Sequence, residues 1–400
     1  MDFHRIMMFL IPHLILSLIT SFYTAVDGRS IISNIEELQL RKELADPVKT
    51  IKTRYGDIYD CVDIYKQPAF DNPLLKDHKI QMEPSFSQNL DVQIATSPST
   101  VTIGLTEEGC LKGTVPIRRV TKEELITRGE TSFRKQFPYY NYSTDAGDDQ
   151  PNKLIYAGYS TKDGTGPHYA AGGAVTVNNP SISPGQLSGS VLSVEGGSPE
   201  AEQFSIIRVG WIVNTNKFGD SRTHLYAIWG QATNGVVHGC YNTDCPGFVQ
   251  TDKTITLGMV FEQVSVPGGT QYYVNLQIQL DKASGNWWLI YAGSMKIGYW
   301  PSNLFTNLDG GASILRWGGM VTSSSTQLPL MGSGKAGDSL YMEIAFDDKA
   351  ASSLDDPAVA SLEILETKCY KVGKLYRMDD YHGYRFSFGG DGGDVQQCSS

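Results

Sequence analysis

The sequence predicts an all-β fold: an antiparallel two-sheet β-sandwich preceded by a smaller α+β module. Three observations carry this expectation. Apolar or alternating runs of strand length recur through the second half of the chain, separated by Asn-Gly, Gly-Gly, Ser-Gly-Asn and Pro-Gly punctuation. Helix-period patterns are nearly absent there, which argues against an α/β enzyme fold. Composition agrees: charged residues make up only 19% of 400, glycine is abundant at 41, and 21 tyrosines outnumber 15 phenylalanines, as suits a turn-rich extracellular β protein.

Taken in chain order, His4 and Arg5 precede an apolar run from Ile6 to Ile19 that Pro12 and His13 interrupt. Residues 1–27 are expected to be a secretory signal peptide, since a spanning helix needs about 20 clean apolar residues. Composition divides the remainder of the chain into two modules. Positions 28–149 hold 16 basic and 19 acidic residues in 122, whereas 150–400 hold 16 and 22 in 251, together with 34 of the 41 glycines. The first module, 28–149, opens on a capping-box spacing, Ser33 with Glu36, and a helical stripe of Ile35, Leu38 and Leu44. Short strand-like pieces come next at Val92–Ile94 and Val101–Leu105. The polar stretch 141–168, with Asp145 to Asp149, resembles an exposed linker and carries the glycosylation sequon at Asn141.

In the second module, 150–400, strands are expected at Ala171–Val177, Phe204–Asn214, His224–Trp229, Thr254–Val266, Gln271–Leu280, Trp287–Ile297, Ser313–Val321, Leu340–Phe346 and Tyr384–Phe388. The six cysteines are even in number, and none has a C-x-x-C or Cys/His spacing that suggests zinc. In a secreted chain three disulfides are expected. Six cysteines allow about fifteen connectivities, and proximity favours Cys61–Cys110, Cys240–Cys245 and Cys369–Cys398. The net charge of −10 argues against a nucleic-acid or anionic-membrane partner, which would need clustered Lys and Arg. No cofactor or metal is expected.

Most candidate motifs have ordinary explanations. Gly332-Ser-Gly334-Lys-Ala-Gly337 matches G-x-G-x-x-G but leads into a strand, so a turn is expected rather than a dinucleotide site. There is no nucleophile elbow, and His224 and His238 fit loop or strand-end positions. Trp211, Trp288 and Trp300 are read as core and rim packing, with the wall of a groove for an extended peptide or sugar as the alternative. No spacing singles out two of the scarce glutamates Glu195, Glu200, Glu202, Glu262, Glu343, Glu363 and Glu366.

The words themselves carry a resemblance. Asp60-Cys-Val-Asp63, Lys66-Gln-Pro-Ala-Phe-Asp71, Pro73-Leu-Leu-Lys76 and His78-Lys-Ile-Gln-Met82 resemble the activation peptide of the plant neprosin family, and Gly113-Thr-Val-Pro-Ile-Arg-Arg119 is similar to the end of its pro-region. Gly239-Cys-Tyr-Asn242, Gly247-Phe-Val-Gln250, Gly285-Asn-Trp-Trp288, Gly298-Tyr-Trp-Pro301 and Trp317-Gly-Gly319 resemble its catalytic domain. The resemblance implies a secreted glutamic peptidase zymogen that cuts around proline, with an intramolecular pro-domain, the same cysteine pairing, and a cell-wall or apoplastic location. It also implies two glutamates working on water, one as general base and one supplying a proton or steadying the oxyanion.

At those positions this chain departs. Where the family has Ile-Glu-Ala-Gly-Trp, here stands Ile207-Arg-Val-Gly-Trp211, so Arg208 replaces the first glutamate. The second aligns with Met320, or alternatively with Arg316. Arginine stays protonated and methionine has no proton to give. The expectation is a family member without glutamic peptidase activity that retains a groove for an extended, proline-rich polypeptide. The alternatives are a peptidase using relocated acids, Glu262 or Glu343, and a cell-wall carbohydrate-binding sandwich. Strand parity places Ile206, Arg208 and Gly210 on one sheet face and Arg316 with Met320 on one face. Arg208 is expected to point into the groove and to find an acidic partner, Glu262 or Glu195, or to reach water at the rim.

Overall fold

The computed structural model describes residues 47–86, 101, 103–105, 108–120, 154–198, 201, 203–234, 236–335, 341–346, 361–377 and 384–398. The signal segment, the Ser33 helix, Val92–Ile94, Asn141, the Asp145–Asp149 stretch, Glu200 and Glu202 lie outside these residues.

In chain order the strands are β1 (Lys49–Lys52), β2 (Ile58–Asp63), β3 (Thr114–Arg118), β4 (Ile155–Thr161), β5 (Ala170–Thr176), β6 (Gln186–Ser198), β7 (Gln203–Asn214), β8 (His224–Thr233), β9 (Val236–Tyr241), β10 (Val249–Gln250), β11 (Tyr273–Leu280), β12 (Trp287–Tyr291), β13 (Met295–Trp300), β14 (Ile314–Ser323), β15 (Gln327–Leu328), β16 (Tyr341–Phe346), β17 (Leu362–Leu365), β18 (Lys371–Val372), β19 (Tyr376–Arg377), β20 (Tyr384–Gly389) and β21 (Gly393–Asp394). A short α-helix, α1 (Thr215–Phe218), is N-capped by the Asn214 side chain and closed by Gly219 in the left-handed region.

Two large antiparallel sheets form the body. The nine-stranded sheet runs β10-β13-β12-β11-β5-β16-β20-β18, with β19 also on β20; the seven-stranded sheet runs β17-β4-β14-β6-β7-β8-β9. Side chains alternate across each strand. Trp287, Leu289 and Tyr291 from one sheet, and Ile207, Val209 and Trp211 from the other, enter one continuous core, joined by Leu192, Val194, Leu225, Ala227, Leu315 and Trp317. The predicted sandwich is therefore present. The three disulfides are Cys61–Cys110, Cys240–Cys245 and Cys369–Cys398.

Particular elements differ from expectation. Thr254–Val266 is irregular. Asp252 Oδ1 accepts from the amides of Thr254 and Ile255 at 2.6 and 2.7 Å, which turns the chain out of a ladder. Its alternation is nevertheless real, because Ile255, Leu257, Met259 and Phe261 are all buried in the core. Trp287–Ile297 is a hairpin rather than one strand: Ala292 and Gly293 both take positive φ, 49° and 74°, and reverse the chain. The longest strand, β6, was not expected, since Gly and Ser dilute its apolar pattern. Val101 does not sit in a strand, although its amide donates to Tyr273 O at 2.9 Å.

The first module is also not a detached unit. β1, β2 and β3 form their own sheet, but Tyr59, Leu75, Val101 and Ile103 belong to the main core. Its 64–86 strap lies on the outer face of β12 and β13, where Ala69, Phe70, Ile80 and Phe86 cover Val249, Trp288, Ile290 and Tyr299. The strap thus covers the nine-stranded sheet, not the outer face of the seven-stranded one.

Candidate functional site

The family-like positions meet on the outer face of the seven-stranded sheet. One cross-strand rank spans all seven strands: Tyr241, Ile228, Arg208, Ser193, Arg316, Ser160 and Glu363 are successive partners from β9 to β17. In the next rank Tyr226 pairs with Gly210 and Gly318 pairs with Val191 and Gly158, so three of these five positions are glycines. A Cβ on Gly318 would run into Ala157 O, so glycine is required where β14 and β4 close up. Beyond lies the rank of Met320, paired with Gly189 and Tyr156. The β14 register is unbroken on both sides from Arg316 to Val321. Arg316 and Met320 therefore share the face, whichever of them aligns with the second family glutamate.

Charge on this face is concentrated around Glu195. Its Oε2 lies 3.2 Å from Arg316 Nε, and its Oε1 accepts from Ser193 Oγ at 2.8 Å while standing 3.8 Å from Arg208 Nη2. Arg316 Nη1 also donates to Ser160 Oγ at 3.2 Å. Arg208 Nη1 sits 3.8 Å from Met320 Sδ, as does Tyr226 OH, whose proton goes to Ser190 O at 2.8 Å. Burial pushes the Tyr241 phenol well above its ordinary value, and the nearby Arg208 charge offsets part of that rise. Beside Tyr241, the buried Lys217 ammonium pairs with Asp244.

The strands of this face carry two acids, Glu195 and Glu363, and Glu363 is exposed on the edge strand β17. Two carboxylates close enough to split their pKa values, as an acid/base pair requires, do not occur among the described side chains of these strands. Of the two partners considered for Arg208, Glu195 is the one present. Glu262 instead pairs with Arg54 of the first module at 2.9 Å. Glu343 is on β16 of the other sheet, opposite Arg385.

The tryptophans do not line this face. Trp211 and Trp300 are fully buried between the sheets, and Trp288 is fully buried beneath the strap. Trp211 has the opposite parity to Arg208, and its Nε1 donates to Thr176 O at 2.8 Å inside the core. No group of three or more His, Cys, Asp or Glu among the described residues is arranged to hold a metal ion, and no described helix is long and apolar enough to cross a membrane.

A neprosin model matches residues 184–391, and a neprosin activation peptide model matches residues 50–171. The chain belongs to the neprosin family. Among solved structures, this chain is similar to a scytalido-glutamic peptidase with a transition state analog inhibitor, at 11% identity over 60% of this chain and 98% of that one, with a TM-score of 0.32. Chicken galectin 2 is next at 5% identity, 47% and 99% coverage and a TM-score of 0.22. A native glycosidic hydrolase matches at 9% identity, 44% and 80% coverage and a TM-score of 0.21.

Proposed function

We propose that this neprosin-family protein is a secreted, non-cleaving homologue of the glutamic peptidases that binds an extended polypeptide. The observation that carries the reading is the cluster itself. Where an acid pair would have to stand, Arg208 and Arg316 converge on one carboxylate, Glu195, and Met320 closes the remaining position. Arginine is a permanent cation and donates only. Glu195 accepts from Ser193 and is paired with both guanidiniums, so among the described residues of this face no second carboxylate stands beside it to form an acid/base pair. Secretion is supported by three disulfides, which persist in oxidising compartments.

Digestion of a proline-rich peptide at acid pH tests this. The wild type is expected to show no cleavage above background yet to retain the peptide in a pull-down. Arg208→Glu with Met320→Glu, or with Arg316→Glu, asks whether the scaffold regains cleavage. Robust wild-type cleavage that survives Arg208→Ala and Met320→Ala would overturn the reading, and selective glycan retention without peptide retention would move the ligand to carbohydrate.

A further inference from the structure

The first module and the body enclose a cavity between them. One side is the β1–β2 hairpin between Ile51 and Tyr59, together with Gly104 and Leu105; the other is Met259, Val260 and Glu262. The cavity is open to solvent and holds about 670 Å³, within the range of about 300–1,000 Å³ usual for small-molecule sites. Its apolar lining comes from both sides. Tyr59 and Met259 are buried in the main core, and Leu105 packs against that core partly buried.

The polar groups around this cavity are unequally satisfied. Glu262 pairs with Arg54 at 2.9 Å, and Asp57 pairs with Arg118 at 3.1 Å and with Arg222 at 3.6 Å, so both carboxylates that line the cavity have their cations. Arg54 Nη2 also donates to Tyr55 OH at 2.8 Å. The Tyr55 ring carries two guanidiniums against it, Arg54 at 4.9 Å and Arg222 at 4.7 Å from its centre, which holds the hairpin tip in place. Lys52 differs from these groups. It lines the same cavity, is exposed, and forms no ion pair among the described residues. At the next position, the Thr53 amide donates to Asp57 O at 2.9 Å and the Thr53 carbonyl accepts from the Gly56 amide at 3.1 Å. The Thr53 hydroxyl, by contrast, is buried with no hydrogen-bond partner among the described residues.

An unpaired cation, an unmet hydroxyl and an apolar floor are together complementary to a carboxylate that carries an apolar body. We propose that this cavity binds a small organic monocarboxylate with an apolar or aromatic body, its carboxylate held by Lys52 and the Thr53 hydroxyl and its body seated on Met259, Leu105 and Tyr59. The site takes residues from both modules. It exists only while the hairpin and Leu105 stand against Met259–Glu262, and an occupant stabilises that joint by mass action. The proposal uses no residue of the seven-stranded face and stands whether or not that face cleaves peptides.

The probes are 3-phenylpropanoate and its neutral isostere 3-phenylpropanamide, titrated into the full chain and followed by ligand-observed saturation-transfer NMR. The acid is expected to bind saturably, with a Kd of about 1 mM or below, and the amide at least about tenfold more weakly, because it lacks the charge-assisted bonds. Lys52→Ala, at an exposed position, is expected to weaken binding of the acid by about threefold or more, whereas Lys52→Arg keeps it. Thr53→Val, which preserves the shape of the side chain, is expected to weaken it by about threefold or more. Added salt weakens the acid and leaves the amide unchanged. Absence of saturable binding of the acid up to about 10 mM would overturn the proposal. So would equal binding of acid and amide, or an affinity for the acid that is unchanged in both Lys52→Ala and Thr53→Val.

Discussion

Arg208 stands directly opposite Ser193 across the β6–β7 ladder, and this register brings its guanidinium to within 3.8 Å of Glu195 Oε1, two residues further along β6. Both Arg208 and Glu195 are buried, at 5% and 6% exposure. A cation at that depth needs its anion: removing one member of a buried pair leaves an uncompensated charge. Glu195 serves two guanidiniums, so Glu195→Ala is expected to destabilise the fold by about 3–5 kcal/mol. Replacing the charged group as a whole, with Glu195→Leu, Arg208→Met and Arg316→Leu together, is expected to cost much less. Urea unfolding of both variants checks this. Equal losses in the two would mean that shape rather than charge sets the cost.

Much of this was legible in the sequence because period-two parity carries face information even where strand ends are misjudged. Ile206, Arg208 and Ile212 fall on the outer face, while Ile207, Val209 and Trp211 fall in the core. What parity did not give was depth. Trp211 and Trp300 were read first as core residues with a groove wall as the alternative, and only the stacking of two sheets decides between them. β6 escaped because Ser188, Gly189, Ser190 and Ser193 fill alternate or adjacent positions with small residues, leaving Val191, Leu192 and Val194 too sparse for a strand pattern. Cross-strand proximity also decides between Glu195 and Glu262 as partners of Arg208, and no spacing along one chain encodes that.

Trp211 provides a separate check on the core assignment. It is fully buried, and its indole donates to Thr176 O on the opposite sheet. Trp211→Phe removes that hydrogen bond, leaving Thr176 O with the Asn178 side-chain donor at 3.2 Å, and opens a void. A loss of about 1–3 kcal/mol is expected in urea unfolding, with retention of a proline-rich peptide unchanged. Lost retention at unchanged stability would return Trp211 to the binding face.

The three disulfides close segments of very different length, with sequence separations of 49, 29 and 5 residues. In the chain-entropy description these correspond to about 4, about 3.5 and about 2 kcal/mol of restriction on the unfolded chain. Pairwise Cys→Ala variants are expected to rank in that order in unfolding experiments, with Cys240→Ala/Cys245→Ala the mildest. If that pair proves the most damaging, native contacts around β9 outweigh the entropy of the loop.

Asp281 ties the strap to the pH dependence of stability. Burial alone would raise its carboxyl, but the hydrogen bonds from the Ser85 side chain and amide, from Gln81 and from the Ala283 amide outweigh burial and hold it below the usual carboxylate range. A carboxyl lowered in the folded state contributes stability that is complete above its unfolded value of about 3.9 and is lost as pH falls toward and through the lower folded value. Asp281→Asn keeps one acceptor oxygen but sets an amide donor against the Gln81 and Ser85 donors. The variant is expected to be less stable than wild type by about 1–3 kcal/mol at neutral pH, and the difference should narrow below about pH 4 as the wild-type carboxylate is titrated. Urea midpoints across the acid range, compared between the two proteins, measure it. A difference that stays constant down to about pH 2 would show that the Asp281 charge does not contribute and that only the shape of the side chain holds the strap.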